Sequence, residues 1–293
     1  MSRLIPVIVA LALVAGAWIV SGGRPLPDDT LAGLTPDAER GALVFAAAGC
    51  ASCHMAPEDE DYARPAVLAG GKRFETQFGT FIAPNISPGP EGVGDWTDLE
   101  LATAILKGVS PRGAHYYPAF PYTSYARAEP QDVADLIAHL RTLPADPTPS
   151  LDHEVGFPFN IRRSLFGWKL LFANDDWVVA EASGPELERG RYLVEALGHC
   201  GECHTPRNAL GGLDRGAWLI GAPLPSGEGR VPGITPSQLG WSAGDIAAYL
   251  QSGFTPEFDV VGGEMFEVVQ NMAKLTDEDR AAIAAYLVAL PEG

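Results

Sequence analysis

"GCASCH", residues 49–54, and "HCGECH", residues 199–204, hold all four cysteines of this 293-residue chain. Two thiols separated by two residues can bind zinc, cycle as a redox disulfide or add to the vinyl groups of a haem, and the residue that follows helps to decide among these. A histidine directly after the second cysteine gives the haem-attachment pattern. Two thioethers fix the porphyrin edge along one helical turn and set the next side chain, His54 or His204, beneath the iron as its proximal ligand. The pattern assigns Cys50 and Cys53, and Cys200 and Cys203, to two covalently attached haem c groups. Zinc is the alternative, since four cysteines and two histidines could build a tetrahedral site. The two clusters stand 150 positions apart, however, and each already carries its own histidine. A thioredoxin-like reading would need a βαβ context that the flanking sequence lacks.

Working outward from the two motifs, the chain repeats itself. "PDAERGALVFAAAGCASCH" (36–54) parallels "PELERGRYLVEALGHCGECH" (185–204), with an offset of 149 residues that becomes 150 after one inserted residue. In each copy a proline stands where a first helical position is expected, behind Thr35 or Gly184 as N-cap, with acidic residues in the first turn. "DWTDLELATAILKG" (95–108) parallels "GWSAGDIAAYLQSG" (240–253). Thr97 with Glu100, and Ser242 with Asp245, read as capping boxes, and Gly108 and Gly253 are placed to end the helices. "DVADLIAHLRTLP" (132–144) parallels "DRAAIAAYLVALP" (279–291), with apolar stripes at Val133, Leu136, Ile137 and Leu140, and at Ile283, Tyr286, Leu287 and Leu290. Each copy is three helices joined by long Gly- and Pro-rich loops. Loops of that length argue against a compact domain unless a large apolar ligand supplies the core.

Composition fits this reading. Hydrophobic residues make up 46% of the chain, enough for real cores, and the formal charge is −17. That charge disfavours nucleic acid or anionic lipid as the main partner and favours a partner with a basic docking patch. Residues 4–20, "LIPVIVALALVAGAWIV", form an uncharged run of about the length that spans a bilayer, ~17–25 residues. The run reads as an uncleaved transmembrane anchor. A signal peptide cut near Ala15-Gly16-Ala17 is the alternative. The first reading places the chain in a bacterial inner membrane with its haem modules in the periplasm, and the second leaves it soluble there.

The chain resembles class I cytochrome c domains in tandem. More closely it resembles the dihaem and trihaem cytochrome subunits that accompany membrane-bound dehydrogenases for alcohols, sugars, sugar acids or N-heterocycles. The stretches that carry the likeness are "GAHYYPAFPYTSY" (113–125), "GFPFNIRRSLFGWKLLF" (156–172), "GHCGECHTPRNALGG" (198–212) and "WSAGDIAAYLQSG" (241–253). The resemblance implies a mainly α fold of two tandem class I cytochrome c domains plus an N-terminal transmembrane helix. Its divisions are an anchor or signal segment over 1–23, a spacer over 24–35, a first domain over 36–146, a linker over 147–183 and a second domain over 184–293. Aromatics of the linker either pack between the domains or form a partner surface. The likeness also implies that a proline carbonyl accepts a hydrogen bond from each proximal histidine, and Pro84 in "APNISP" and Pro232 in "VPGITP" are the matching positions.

The sixth iron ligand separates electron transfer from catalysis, because a second strong ligand closes the iron. For the second haem, Met265 lies 61 residues after His204 on a Gly-rich loop before the last helix, with Met272 in reserve. The first haem departs from its relatives, because the "YPAxPY" position where many of them place a methionine is Phe120 here. His115 lies 61 residues after His54, the same separation as Met265 from His204, and is the candidate ligand. His139, His153 and an open position are its alternatives.

These readings describe an electron-transfer protein and not an enzyme: a two-haem cytochrome passing single electrons from a dehydrogenase subunit to a downstream respiratory acceptor. A dihaem peroxidase or thiosulfate-oxidising cytochrome, and a cytochrome subunit of a cbb-type haem-copper oxidase, are the alternative functions.

Overall fold

The computed structural model describes Ile5, Val9 and residues 15–57, 66–225, 227 and 229–291. Helices dominate. In chain order they are α1 (Ala38–Ala47), α2 (Cys50–His54), α3 (Asp98–Lys107), α4 (Tyr122–Tyr125), α5 (Pro130–Leu140), α6 (Leu165–Phe172), α7 (Pro185–Arg191), α8 (Gly201–His204), α9 (Pro236–Leu239), α10 (Ala243–Ser252), α11 (Met265–Met272) and α12 (Asp277–Val288). Two antiparallel ribbons complete the fold: β1 (Arg73–Thr76) with β2 (Gly79–Ile82), and β3 (Ala222–Pro223) with β4 (Arg230–Val231).

The helix ends follow from local chemistry. Both capping boxes form, Thr97 with Glu100 and Ser242 with Asp245, and both helices stop on left-handed glycines, Gly108 at φ 57° and Gly253 at φ 76°. Gly184 caps α7 with Pro185 in its first turn. The start of α1 differs from expectation. Asp37, not Thr35, is the N-cap, because its carboxylate accepts the free amides of Glu39 and Arg40.

In each half the first helix crosses the last at a glycine. A Cβ on Gly41 would lie 1.9 Å from the Asp135 carbonyl oxygen of α5, and one on Gly190 would lie 2.0 Å from the Ala282 oxygen of α12. Both crossings are pinned by an arginine–aspartate pair, Arg40 to Asp135 at 2.7 Å and Arg189 to Asp279 at 2.7 Å. The residue inserted before the second motif is absorbed as a π-helical turn over Tyr192–Leu197, with the Gly198 amide donating to the Leu193 carbonyl. This turn buries Glu195, which accepts hydrogen bonds from the Val179 amide at 3.0 Å and the Tyr286 hydroxyl at 2.6 Å.

Val44, Phe45, Leu101, Val133, Leu136, Ile137 and Leu140 of one half and Leu193, Val194, Ile246, Met272, Ile283, Tyr286 and Leu287 of the other belong to a single apolar cluster. The linker fastens the halves further. The Trp168 indole donates to the Leu210 carbonyl at 2.8 Å, and Trp177 lies against both Arg127 and Arg191. Leu170 and Leu171 point outward and are exposed.

Two expectations are corrected by this arrangement. The mainly α character stands, but the fold of two tandem class I domains plus an N-terminal transmembrane helix does not, because the repeated helix crossings feed one shared core. Most of the apolar run at 4–20 lies outside the described residues. Ile5, Val9 and residues 15–20 of it are helical. Among the described residues no helix is long and apolar enough to cross a membrane. The anchor, the membrane contact through residues 4–20 and the inner-membrane placement are therefore not supported.

The crossing can be tested by substitution. Gly41→Ala and Gly190→Ala should each destabilise the protein by roughly 1–3 kcal/mol through overpacking against backbone, read as lowered denaturation midpoints. Asp135 is only 1% exposed. Burial pushes its carboxyl pKa up, but the Arg40 guanidinium, the Asp37 amide and Gln131 outweigh it and leave the value below the ordinary one. A depressed folded pKa gives stability that is complete above the unfolded value, ~3.9, and is lost as pH falls through the folded one. Asp135→Asn should therefore flatten the acid limb of the stability curve below about pH 4, as followed by helical circular dichroism.

Candidate haem-attachment sites

Each motif reaches its position by the same local route. Gly49, at φ 61°, turns the chain out of α1 and into the helical turn of α2. In the second half His199, at φ 39°, makes the corresponding bend before α8. The Nδ1–H of His54 donates to the Pro84 carbonyl at 2.9 Å, and that of His204 donates to the Pro232 carbonyl at 2.8 Å. Because a carbonyl only accepts, this bond puts the proton on Nδ1 and leaves Nε2 with its lone pair, the form in which imidazole binds a metal. Burial lowers the pKa of both imidazoles, partly opposed by the bond to the proline carbonyl. Behind each histidine a left-handed glycine closes the loop: the Gly70 and Gly221 amides donate to the His54 and His204 carbonyls, both at 2.7 Å.

Burial pushes the Cys50 and Cys200 thiols up to about 12 and the Cys53 and Cys203 thiols up to about 11. Among the described residues no three His, Cys, Asp or Glu side chains converge to hold a metal ion by themselves.

The two attachment turns are tied to the opposite half of the chain. Asn271 donates from Nδ2 to the Ser52 hydroxyl at 2.7 Å, and the His199 ring bonds the Ala48 carbonyl at 3.3 Å. Lys72 bridges the halves, donating to the Ser52 carbonyl at 2.9 Å and to Glu267 at 2.6 Å. Thr123 and Ser124 donate to Glu202, between the two cysteines of the second motif. None of these contacts is written in a local pattern. Only the repeat, which places the two motifs in equivalent settings, hinted at them.

The far side of each site is a loop of matched construction. After α3, Val109 bridges His115, and the Tyr116 amide donates to the Gly108 carbonyl at 2.8 Å. After α10, Phe254 bridges Val260, and the Val261 amide donates to the Gly253 carbonyl at 2.8 Å. Matching bond for bond, His115 corresponds to Val260, and Met265 corresponds to Phe120. The equal separations of 61 residues do not mark equivalent places, because the chain between the proximal histidine and the helix-ending glycine is five residues longer in the first half. His115 hydrogen-bonds the Ser21 carbonyl through Nε2 at 3.1 Å and lies against Phe166, so it fastens the N-terminal segment to the linker. His139 stacks on Phe45 and His153 packs between Phe81 and Tyr117. Met265 opens α11 at the edge of the shared core, whereas Met272 and Met55 are buried in it.

The residues fit haem c. Each site offers paired thiols one turn apart and an imidazole held with Nε2 free. On α4, next to the Thr123 and Ser124 that bond Glu202, the Tyr122 hydroxyl, on a side chain 2% exposed, has no partner within the protein, as expected where a further group completes the packing. Sequence and geometry together define a protein with covalently attached haem.

Comparison with known proteins agrees. The sequence model of the cytochrome c family matches one stretch, residues 38–144, consistent with the corrected fold. A dihaem cytochrome c-type protein of Cereibacter sphaeroides is 56% identical over 97% of this chain and 96% of its own length. The fructose dehydrogenase cytochrome subunit of Gluconobacter japonicus is 36% identical over 87% of this chain and 53% of its own. The cytochrome c subunit of a quinone-dependent alcohol dehydrogenase of Gluconobacter oxydans is 32% identical over 96% of this chain and 60% of its own. The chain thus spans nearly all of the first relative and little more than half of the other two. It belongs to the dihaem c-type cytochromes. It carries two covalently bound haem c groups and is an electron-transfer protein, not itself a catalytic subunit.

Replacing Cys50 and Cys53 together by alanine should reduce covalent haem from two per chain to one, and replacing Cys200 and Cys203 together should do the same. Intact mass together with haem-stained gels would read the loss.

Proposed function

We propose that this chain relays single electrons from a dehydrogenase subunit to a downstream respiratory acceptor, with His54 and His204 as proximal ligands and Met265 as distal ligand of the second haem. The observation that carries this reading is the repeated bond from the proximal imidazole to a proline carbonyl, His54 to Pro84 and His204 to Pro232, on two turns whose flanks meet where His199 bonds the Ala48 carbonyl. Bound haem supplies reversible one-electron chemistry at iron.

The chain's own residues do the rest. Pro84 and Pro232 hold each imidazole in one tautomer and one orientation. Ser52, Asn271, Lys72 and Glu267 keep the attachment turns at a fixed separation, which a relay between two centres requires. The shared core keeps the two turns from drifting apart as independent domains would. A formal charge of −17 gives the surface a field that a basic patch on a partner can read. The donor class rests on the names of the relatives, which belong to fructose, nicotinate, alcohol and gluconate dehydrogenases.

The test is to isolate the holoprotein from its native host with bound partners and add candidate dehydrogenase substrates. Reduction of both haems by a co-purifying flavin, quinone or molybdenum enzyme supports the relay, and steady turnover of peroxide or thiosulfate by the chain alone contradicts it. Met265→His should lower the potential of one haem, on the order of 0.1 V within the ~0.8 V that axial ligands span, and leave the other unchanged in a redox titration.

A further inference from the structure

We infer that the first haem is closed on its distal side by Phe120 rather than by a protein ligand, and that it takes a small neutral diatomic molecule as an external ligand while the second haem does not.

The loops after α3 and α10 share their bridge, their amide-to-carbonyl bond and their internal hydrogen bonds, Ser110 to Ala114 and Thr255 to Asp259, both at 2.9 Å. Counted through that shared frame, the residue at the place of Met265 is Phe120. The Phe120 ring reaches the attachment segments through a neighbour. Its centroid is 5.8 Å from that of Tyr125, whose hydroxyl donates to the Ala48 carbonyl at 2.7 Å, two residues before Cys50, and whose ring lies 5.5 Å from that of His199. A phenyl ring has no lone pair to offer iron, whereas a thioether does.

The candidate ligands nearby are engaged elsewhere. His115 is bonded to the Ser21 carbonyl through Nε2 and lies 6.3 Å from the Phe166 ring of the linker, with its buried Nδ1 unpartnered. His199 is engaged with the Ala48 carbonyl, and Lys72 with Ser52 and Glu267. Met55, beside the proximal histidine, is buried in the core.

The surroundings are aromatic, with the Lys169 ammonium 4.4 Å above the Tyr122 ring and already bonded to the Lys107 and Gly108 carbonyls. Tyr116, Tyr122 and Tyr125 ring Phe120 at centroid distances of 6.1, 6.4 and 5.8 Å. A small uncharged molecule enters such a wall without needing a counter-charge. The Tyr122 hydroxyl in that wall is buried and unpartnered.

The inference rests on the reading of Met265 as distal ligand of the second haem but does not need the relay, since an iron with an external site still changes oxidation state. Carbon monoxide is the probe, added to the dithionite-reduced, intact holoprotein and followed by its visible spectrum. The expected result is one molecule bound per chain, at one of the two haems, with a high-spin ferric signal from that same haem before reduction. Phe120→Met should abolish binding and turn that signal low-spin. Two low-spin haems that ignore carbon monoxide in the unmodified protein would overturn the inference without any variant. So would carbon monoxide binding that Phe120→Met leaves unchanged. Binding that appears only in His115→Ala would overturn it as well, by showing that His115 is the ligand after all.

Discussion

Everything at the two sites depends on how closely the first and last helices of each half approach. At Gly41 and Gly190 the backbones meet with no room for a methyl group, and this contact decides where the chain leaves the first helix. From there the helical turn with its cysteines follows at once, at Gly49 in one half and at His199 in the other. The arginine–aspartate pair beside each crossing fixes the rotation of one helix about the other. The proline-bearing loop then reaches a histidine whose position is already set. The bond from Nδ1 to the proline carbonyl, 2.9 Å and 2.8 Å in the two halves, is thus the end of a chain of constraints that begins in the core.

Sharing one core between the halves has a functional consequence. Two domains joined by a flexible segment would let their redox centres wander, because interdomain contacts are ordinarily small and mobile. Here the linker is an added fastening, with Trp168 bonded to Leu210 and Trp177 held between two arginines. The Lys72–Glu267 pair adds a charged contact directly between the halves, within a partly buried setting. Such a body suits a relay, whose rate depends on a fixed separation of its centres.

Much of this was legible in the sequence because it is local. The attachment motifs, both capping boxes, the ending glycines Gly108 and Gly253, and the buried stripes of the last helices are short-range patterns, and the chain forms them where they stand. Pro84 and Pro232 came from family likeness, and each accepts the expected bond. Reasoning over distance carried less. The equal separations of His115 and Met265 run across loops of unequal length, and in the shared loop frame Met265 stands opposite Phe120. The continuous core was hidden because an apolar stripe records that a face is buried, not against which partner. The inserted residue before Cys200 was visible, but its absorption as a π-helical turn, and the burial of Glu195 that results, needed the packed structure. The run at 4–20 reads as an anchor by length and hydropathy alone, but among the described residues no helix is long and apolar enough to cross a membrane.

The central claim is that one rigid chain holds two centres that each change by one electron and exchange electrons with one another. A spectroelectrochemical titration of the intact holoprotein tests it most directly. The account predicts two reversible one-electron waves of equal amplitude, with the electron from a substoichiometric reductant settling rapidly on the higher-potential centre. A single one-electron wave, or two waves whose populations do not equilibrate within one molecule, would contradict it.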